Sequence, residues 1–362
     1  MQYSLFGSSE MDITGNTSLM NVSIIKKSKK VDDTPSASVM TSKDAYADIA
    51  EIQQPSLFDQ VEGQRIFQNN LQENDDVEID DIAGKPKRPQ LLKWIGNKQR
   101  FAREIVSYFP EDYNTYFEPF LGSGAVWAEL EPQNAVVSDI FIPLVEIWQM
   151  LQHNPETVKR WYRERWQHLV ESEKVVAYEQ VKSSYNNHPN GADLLFLCRT
   201  CYGGVVRFRK RDGYMSTPCG IHKPMPPESF AKRVDQWYPL TSGTKIMHMD
   251  YSAAMRAAKE GDLIYCDPPY TFSQSILYGA QSFSLRQLLE EIRQCKQRGV
   301  RVALSIDGTK RSGNFICDIP VPKGLFEREI LVNCGRSMLK RFQMDGLSLE
   351  KEVVADRLLL TY

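Results

Sequence analysis

The run Asp262-Leu263-Ile264-Tyr265-Cys266 leads straight into Asp267-Pro268-Pro269-Tyr270, and few folds accommodate that succession. The first stretch is short, apolar and β-rich, which is the composition of a buried strand in an α/β sheet. Ligands of such sheets bind at the carboxyl ends of the strands, where Asp267 emerges. Two prolines fix φ and remove backbone donors, so the Pro268 carbonyl stays available as an acceptor. A carboxylate, a rigid carbonyl and an aromatic ring at one strand end suit a planar base bearing an amino group. Asp267 and the Pro268 carbonyl would accept from the amino hydrogens while Tyr270 stacks on the ring. A Pro-Pro turn closing an ordinary core strand reads the same residues without any function.

A second pattern lies upstream. Thr115-Tyr116-Phe117-Glu118-Pro119-Phe120-Leu121-Gly122-Ser123-Gly124 runs from an apolar strand into a glycine turn, and a helix is expected from about Gly124. Glycines there let a ligand approach the backbone, and a helix N-terminus favours an anionic group. Ala135-Val136-Val137-Ser138-Asp139 reads as the next strand with an acid at its tip, placed to bond a ribose diol. Strand, glycine turn, helix, strand and acid describe the binding half of a doubly wound sheet. The missing third glycine and the early acid argue against a dinucleotide. A further strand, Lys245 to Met249, closes on Asp250, which suits either an adenine contact or a helix N-cap.

With Lys93-Trp94-Ile95-Gly96-Asn97-Lys98 added, the chain resembles the Dam-like (D12 class) DNA adenine-N6 methyltransferases from Lys93 to the C-terminus, roughly three quarters of its length. The Lys-Trp-x-Gly-x-Lys motif, the Pro-Phe-x-Gly-x-Gly turn and the Asp-Pro-Pro-Tyr tetrapeptide occur in the family's order, with a long insert before the last. The resemblance implies a Rossmann-like α/β sheet carrying an inserted helical plus β-hairpin target-recognition domain. It implies that S-adenosylmethionine is held by Trp94, Lys98, Asp139 and Asp267, with Glu118, Phe120, Gly122, Gly124 and Asp250 lining the same site. Asp267, Pro268 and Tyr270 would then be catalytic. Duplex DNA would be the macromolecular partner, and a cognate restriction endonuclease is a partner that such enzymes can take.

Charge agrees once it is divided. Residues 1–85 hold 15 acids and 7 bases, or −8, whereas residues 86–362 hold 31 acids and 37 bases, or +6, so the overall −2 hides a basic body. The acidic segment is rich in Ser, Asp, Asn and Gln without sustained periodicity, and a disordered tail is expected over 1–88. Within it, Gln2-Tyr3-Ser4-Leu5-Phe6 and Gln54-Pro55-Ser56-Leu57-Phe58 repeat a Gln-x-Ser-Leu-Phe pattern. Each resembles the peptide with which bacterial replication and repair proteins dock on the sliding clamp, a Leu-Phe anchor for a hydrophobic groove. No apolar run approaches the length of a membrane span, and the N-terminus lacks a basic-then-apolar signal pattern. Seven scattered cysteines suit reduced thiols in the cytoplasm.

The catalytic domain is therefore expected over 89–150 and 243–362, and target recognition over 151–242. Pro155 to Asn187 has helical period, with Trp161, Tyr162, Trp166, Leu169, Tyr178 and Val181 inward. Asp212-Gly213 between β-prone flanks signals a hairpin. From Arg199 to Arg233 there are eight bases against two acids. Arg199, Arg207, Arg209, Lys210, Arg211 and Tyr214 suit phosphate contact, guanine reading and stacking. Arg209 and Ser216 stand where Dam-like members commonly carry asparagine, so GATC specificity does not carry over. Cys198-x-x-Cys201 with Cys219-x-x-His222 has the spacing of a Cys₃His zinc site, although the family pattern at Arg199 to Cys201 needs no metal.

The chemistry follows from the residues. The adenine N6 lone pair is conjugated into the ring, and accepting both amino hydrogens at Asp267 and Pro268 would localise it. A base inside a duplex cannot reach such a site, so it must be flipped out. Cytosine-N4 methylation, methylation of RNA or a protein amide, and a noncatalytic DNA-binding regulator are the competing readings. A nicotinamide enzyme is disfavoured by the missing pyrophosphate fingerprint.

Overall fold

A computed structural model describes residues 88–209, 211–269, 283–307, 321–333 and 355–362. The acidic segment, the two Gln-x-Ser-Leu-Phe peptides, Lys210 and Tyr270 lie outside the described residues. The centre is an open seven-stranded sheet: β1 (Tyr116–Glu118), β2 (Ala135–Asp139), β3 (Thr244–His248), β4 (Leu263–Cys266), β5 (Arg301–Asp307), β6 (Arg328–Asn333) and β7 (Ala355–Leu360), ordered β3-β2-β1-β4-β5-β7-β6. The first five strands pair in parallel, and β7 runs antiparallel between β5 and β6. β1 and β4 are buried along their whole length, as strands covered on both faces must be. Tyr116, Leu263 and Tyr265 enter one core, whereas Phe117, Ile264 and Cys266 enter the other, which follows the two-residue alternation of a strand.

Turn chemistry fixes where these strands sit. Asp262 is buried, and its carboxylate accepts from the backbone N–H groups of Thr115 (3.1 Å) and Lys259 (2.8 Å), tying the start of β1 to the start of β4. Adjacent β1 and β4 are also where the strand order reverses, and the crevice outside their carboxyl ends is the expected place for a ligand.

Helix α1 (Ala102–Val106) precedes the sheet, and α2 (Ala125–Leu130) follows the glycine turn. After β2 come α3 (Ile142–His153), α4 (Pro155–Glu171), α5 (Lys174–Asn187), α6 (Gly191–Thr200) and α7 (Pro227–Trp237). Helix α8 (Tyr251–Ala257) leads to β4, and α9 (Leu285–Gln297) to β5. The stretch Pro155 to Asn187 is thus two helices, separated at Ser172 and Glu173. Tyr162, Leu169, Tyr178 and Val181 are buried as their spacing requires, while Trp161 and Trp166 are only half-buried.

The insert and the sheet share one core. Trp237 of α7 lies 5.3 Å from Trp148 of α3 and 6.4 Å from Trp127 of α2, ring centre to ring centre. Its indole N–H donates to the Pro89 carbonyl at 2.8 Å. Arg199 at the end of α6 and Arg233 of α7 donate to the Gln90 carbonyl, and Arg199 also to that of Leu91. The chain entering the Lys93–Lys98 motif is therefore clamped by the insert. The Arg199 guanidinium bonds these carbonyls through one of its nitrogens and packs 5.8 Å from the Phe230 ring, so it braces the entering chain.

Candidate active site

The crevice at the β1–β4 reversal is an open cleft of about 940 Å³, and the sequence motifs converge on it. β1 delivers Glu118, β2 delivers Asp139, β4 delivers Asp267, and the entering loop delivers Trp94 and Lys98. Pro268, Phe120, Gly122 and Asp250 line the same space.

Asp139 is buried and fixed by two amides, with Phe141 N–H donating to Oδ1 (3.0 Å) and Gly122 N–H to Oδ2 (3.1 Å). Burial pushes its carboxyl above the usual range, and those same amides oppose the shift. Gly122 has φ +49°, which strains any other residue, and a Cβ there would crowd the Trp94 ring at 3.3 Å. Gly124 has φ +66° and sits against Trp127. It begins a helix of only six residues, shorter than the strand–turn–helix pattern suggests. Trp94 is buried beside Gly122, and its ring centre lies 6.2 Å from that of Phe141.

Lys98 lines the cleft and also reaches the catalytic motif. Its Nζ is 2.6 Å from Asp267 Oδ1 and 3.8 Å from Asp356 Oδ2 of β7, with the side chain only 4% exposed. It also donates to the Gly96 carbonyl at 3.2 Å. The lysine thus holds the carboxylate that opens Asp-Pro-Pro-Tyr. Asp250 caps α8, accepting from Ser252 N–H at 2.9 Å, and it also lines the cleft. Glu118 is buried and accepts from the Tyr116 hydroxyl at 2.6 Å. Burial, reinforced by the Asp267 charge, raises its carboxyl to about 8 despite that bond.

One wall of the cleft escapes sequence reasoning. Phe120 stacks on Tyr251 at 5.2 Å, and Phe283 stands edge-on to Phe120 at 6.0 Å. Tyr251 and Phe283 belong to helix starts on opposite sides of β4, and no local pattern links them.

The hairpin lies beyond the cleft. Phe208 and Met215 pair across it, Arg209 N–H donates to the Tyr214 carbonyl (2.9 Å), and Ser216 N–H to that of Arg207 (2.9 Å). Gly213 takes φ +67° at its turn, as Asp-Gly predicts. Arg207, Arg209, Arg211 and Tyr214 are all exposed. The Arg209 guanidinium lies 4.1 Å over the Tyr214 ring and pairs with Asp212 at 3.0 Å. The Asn186 side chain of α5 accepts from Met215 N–H (2.7 Å), and Phe208 packs edge-on against Phe141 at 5.6 Å.

Cys198 and Cys201 are buried, with their thiols directed at the carbonyls of Leu195 and Cys198, and His222 is exposed. Burial pushes the Cys198 thiol up to about 12. Among the described residues no three His, Cys, Asp or Glu side chains gather as a metal site. No helix among them is long and apolar enough to cross a membrane.

S-adenosylmethionine suits this donor set: a fixed carboxylate for a ribose diol, a positive-φ glycine turn, and an aromatic wall for a purine. The sequence matches the family of D12 class N6 adenine-specific DNA methyltransferases over residues 94–329. The chain is 28% identical to the type II methyltransferase M1.LlaDCHI of Lactococcus lactis subsp. cremoris over 250 residues, 64% of this chain and 86% of that protein. It is 25% identical to a DNA adenine methylase of Vibrio cholerae over 240 residues, 60% of this chain and 81% of that protein. A DNA adenine methylase of Salmonella typhi is 26% identical over 214 residues, covering 56% and 73%. With the match running from Trp94 through the cleft to β6, the chain belongs to the D12 class of adenine-N6 DNA methyltransferases and is an S-adenosylmethionine-dependent enzyme.

Proposed function

We propose that this enzyme methylates N6 of an adenine swung out of duplex DNA at one particular sequence. The observation that carries the reading is the 2.6 Å pair between Lys98 and Asp267 in the cleft that also contains Asp139 and Gly122. S-adenosylmethionine supplies an electrophilic methyl group on a sulfonium. Asp267 and the Pro268 carbonyl accept the two amino hydrogens of the target and localise the nitrogen lone pair. Lys98 keeps Asp267 ionised and aimed, and Tyr270 stacks on the base. Asp139 receives the ribose of the cofactor, with Trp94, Glu118, Phe120, Gly122, Gly124 and Asp250 around it. Positioning supplies much of the acceleration, because nucleophile and methyl must meet in line. Residues 151–242 act as the target-recognition part, and the exposed arginines of the hairpin read the site.

The test is to incubate purified protein with labelled cofactor and plasmid DNA, then digest to nucleosides. N6-methyldeoxyadenosine is expected, confined to one sequence context and abolished when DNase is added before the enzyme. Label in N4-methylcytosine, or incorporation that only ribonuclease removes, would overturn the reading.

Recruitment belongs to the acidic segment. The two Gln-x-Ser-Leu-Phe peptides support docking on the sliding clamp, each placing Leu5-Phe6 or Leu57-Phe58 in a hydrophobic groove. The 47 residues between Phe6 and Gln54 would reach about 35–40 Å as a flexible coil, enough for avidity on a multivalent ring if its sites lie within that span. Purified clamp should retain the wild type and lose a variant with alanine at Leu5, Phe6, Leu57 and Phe58. Equal retention would dismiss the docking. Deleting residues 1–85 should leave methylation of short oligonucleotides intact.

A further inference from the structure

Glu118 ends β1 in the cleft wall with 3% exposure, and the Tyr116 hydroxyl donates to it from the same strand. The groups around it come from every neighbouring element. Asp267 follows β4, Asp356 lies on β7, and Lys98, from the entering loop, is 2.6 Å from the first and 3.8 Å from the second. On β2, Asp139 is held by backbone amides, and Tyr265 of β4 shares a 2.9 Å hydrogen bond with Ser305 of β5. Lys98 pairs with Asp267 and Asp356, while the donors to Glu118 are the uncharged Tyr116 phenol and the Trp127 backbone N–H. Burial beside Asp267 raises this carboxyl to about 8, so it is mostly neutral at pH 7.

Methyl transfer in line to an amine held by Asp267 requires the sulfonium within a few Å of that nitrogen. A positive charge therefore enters the same cleft in which Asp267 and Glu118 already act on one another. The product left after transfer has lost that charge. A cation beside a buried carboxyl favours its ionised form, and a neutral ligand does not.

We propose that Glu118 is the residue by which the site tells the charged methyl donor from its uncharged product, a neutral carboxyl that releases its proton when the sulfonium binds and recovers one when the product replaces it. The O–H bond breaks, its electron pair stays on the carboxylate, and the proton passes to solvent. This rests on Asp267 marking the reacting centre and on the cofactor occupying this cleft.

Isothermal titration of the full chain tests it at pH 7, in buffers of different ionisation enthalpy, with S-adenosylmethionine and S-adenosylhomocysteine as the two ligands. The wild type should release roughly one proton on binding the donor and far less on binding the product. Below about pH 8, affinity for the donor should rise about tenfold per pH unit relative to the product, then level off. Glu118→Gln, which keeps an acceptor for Tyr116, should lose the donor-specific release and much of the preference. Tyr116→Phe removes one of the two donors that favour the carboxylate, so the levelling should move to higher pH. Equal release with both ligands in the wild type overturns the proposal, as does donor-specific release that persists in Glu118→Gln. The wild-type comparison decides even if a variant fails to fold. If donor binding survives Asp139→Ala undiminished, the cofactor does not occupy this cleft, and the proposal falls with that placement.

Discussion

Asp267→Ala is expected to lower methyl transfer by about a thousandfold or more while S-adenosylmethionine still binds. In the proposed mechanism the lost carboxylate is the acceptor that polarises the amine in the transition state, and removing one such preorganised group costs about 10²–10³ in rate elsewhere. Here the Lys98 charge, 4% exposed, would also lose its 2.6 Å pair with Asp267 and keep the longer 3.8 Å one with Asp356. A cation so placed repels the positive charge that builds on the attacking nitrogen, so the kinetic penalty exceeds that of a lost hydrogen bond. It also destabilises the fold, by up to about 3 kcal/mol where a buried pair is broken. Two controls separate the effects. Asp267→Asn keeps volume and one acceptor oxygen but presents an N–H₂ group to Lys98 or the base, and should be nearly as inactive at higher stability. Lys98→Met removes the charge and should lower kcat with a smaller change in KM for DNA. Rates come from labelled cofactor, stability from thermal unfolding. Turnover within tenfold of wild type by a folded Asp267→Ala protein would remove Asp267 from the mechanism.

The parts of this site that could be read from sequence are those encoded within one strand and its following turn. Leu263 to Cys266 is continuous and apolar because β4 is covered on both faces, and Asp267 emerges where such a strand must end. Gly122 and Gly124 announce their positive φ, and Asp139 its place at the tip of β2. Asp212-Gly213 gives the hairpin for the same reason, since a tight turn is a local choice. What escaped the sequence are pairings across long separations. Lys98 meets Asp267 and Asp356 only because the entering loop crosses the ends of β4 and β7. Arg199 sits in a basic stretch and looks like its neighbours, yet the end of α6 turns it towards the carbonyls of Gln90 and Leu91. The cysteine spacing fits zinc on paper, whereas α6 buries Cys198 and Cys201 with their thiols bonded to backbone. Phe120, Tyr251 and Phe283 come from three separate elements and share no periodicity.

Replacing Arg207, Arg209 and Arg211 together by alanine is expected to weaken specific DNA binding by about 10²–10³-fold at moderate salt, since each phosphate contact also releases counterions. The three should not behave alike. Arg211 has an 80% exposed side chain that touches Asp212 at only 3.4 Å, the state of a mobile phosphate contact. Arg211→Ala should weaken all duplexes equally and flatten the salt slope by about one. Arg209 is held before DNA arrives, by Asp212 on one side and the Tyr214 ring on the other. A guanidinium fixed in this way loses less entropy on binding, and its remaining donors suit the paired acceptors of a guanine edge. Arg209→Ala should therefore cost about 1–3 kcal/mol on the cognate site, relax preference at one base pair and leave nonspecific affinity less changed. Tyr214→Ala, which removes the ring beneath Arg209, should reproduce part of that relaxation without removing a charge. Fluorescence anisotropy on duplexes carrying single substitutions, repeated at several salt concentrations, resolves the two classes. If the triple variant binds with unchanged affinity, salt slope and site preference, the recognition surface lies elsewhere on the molecule.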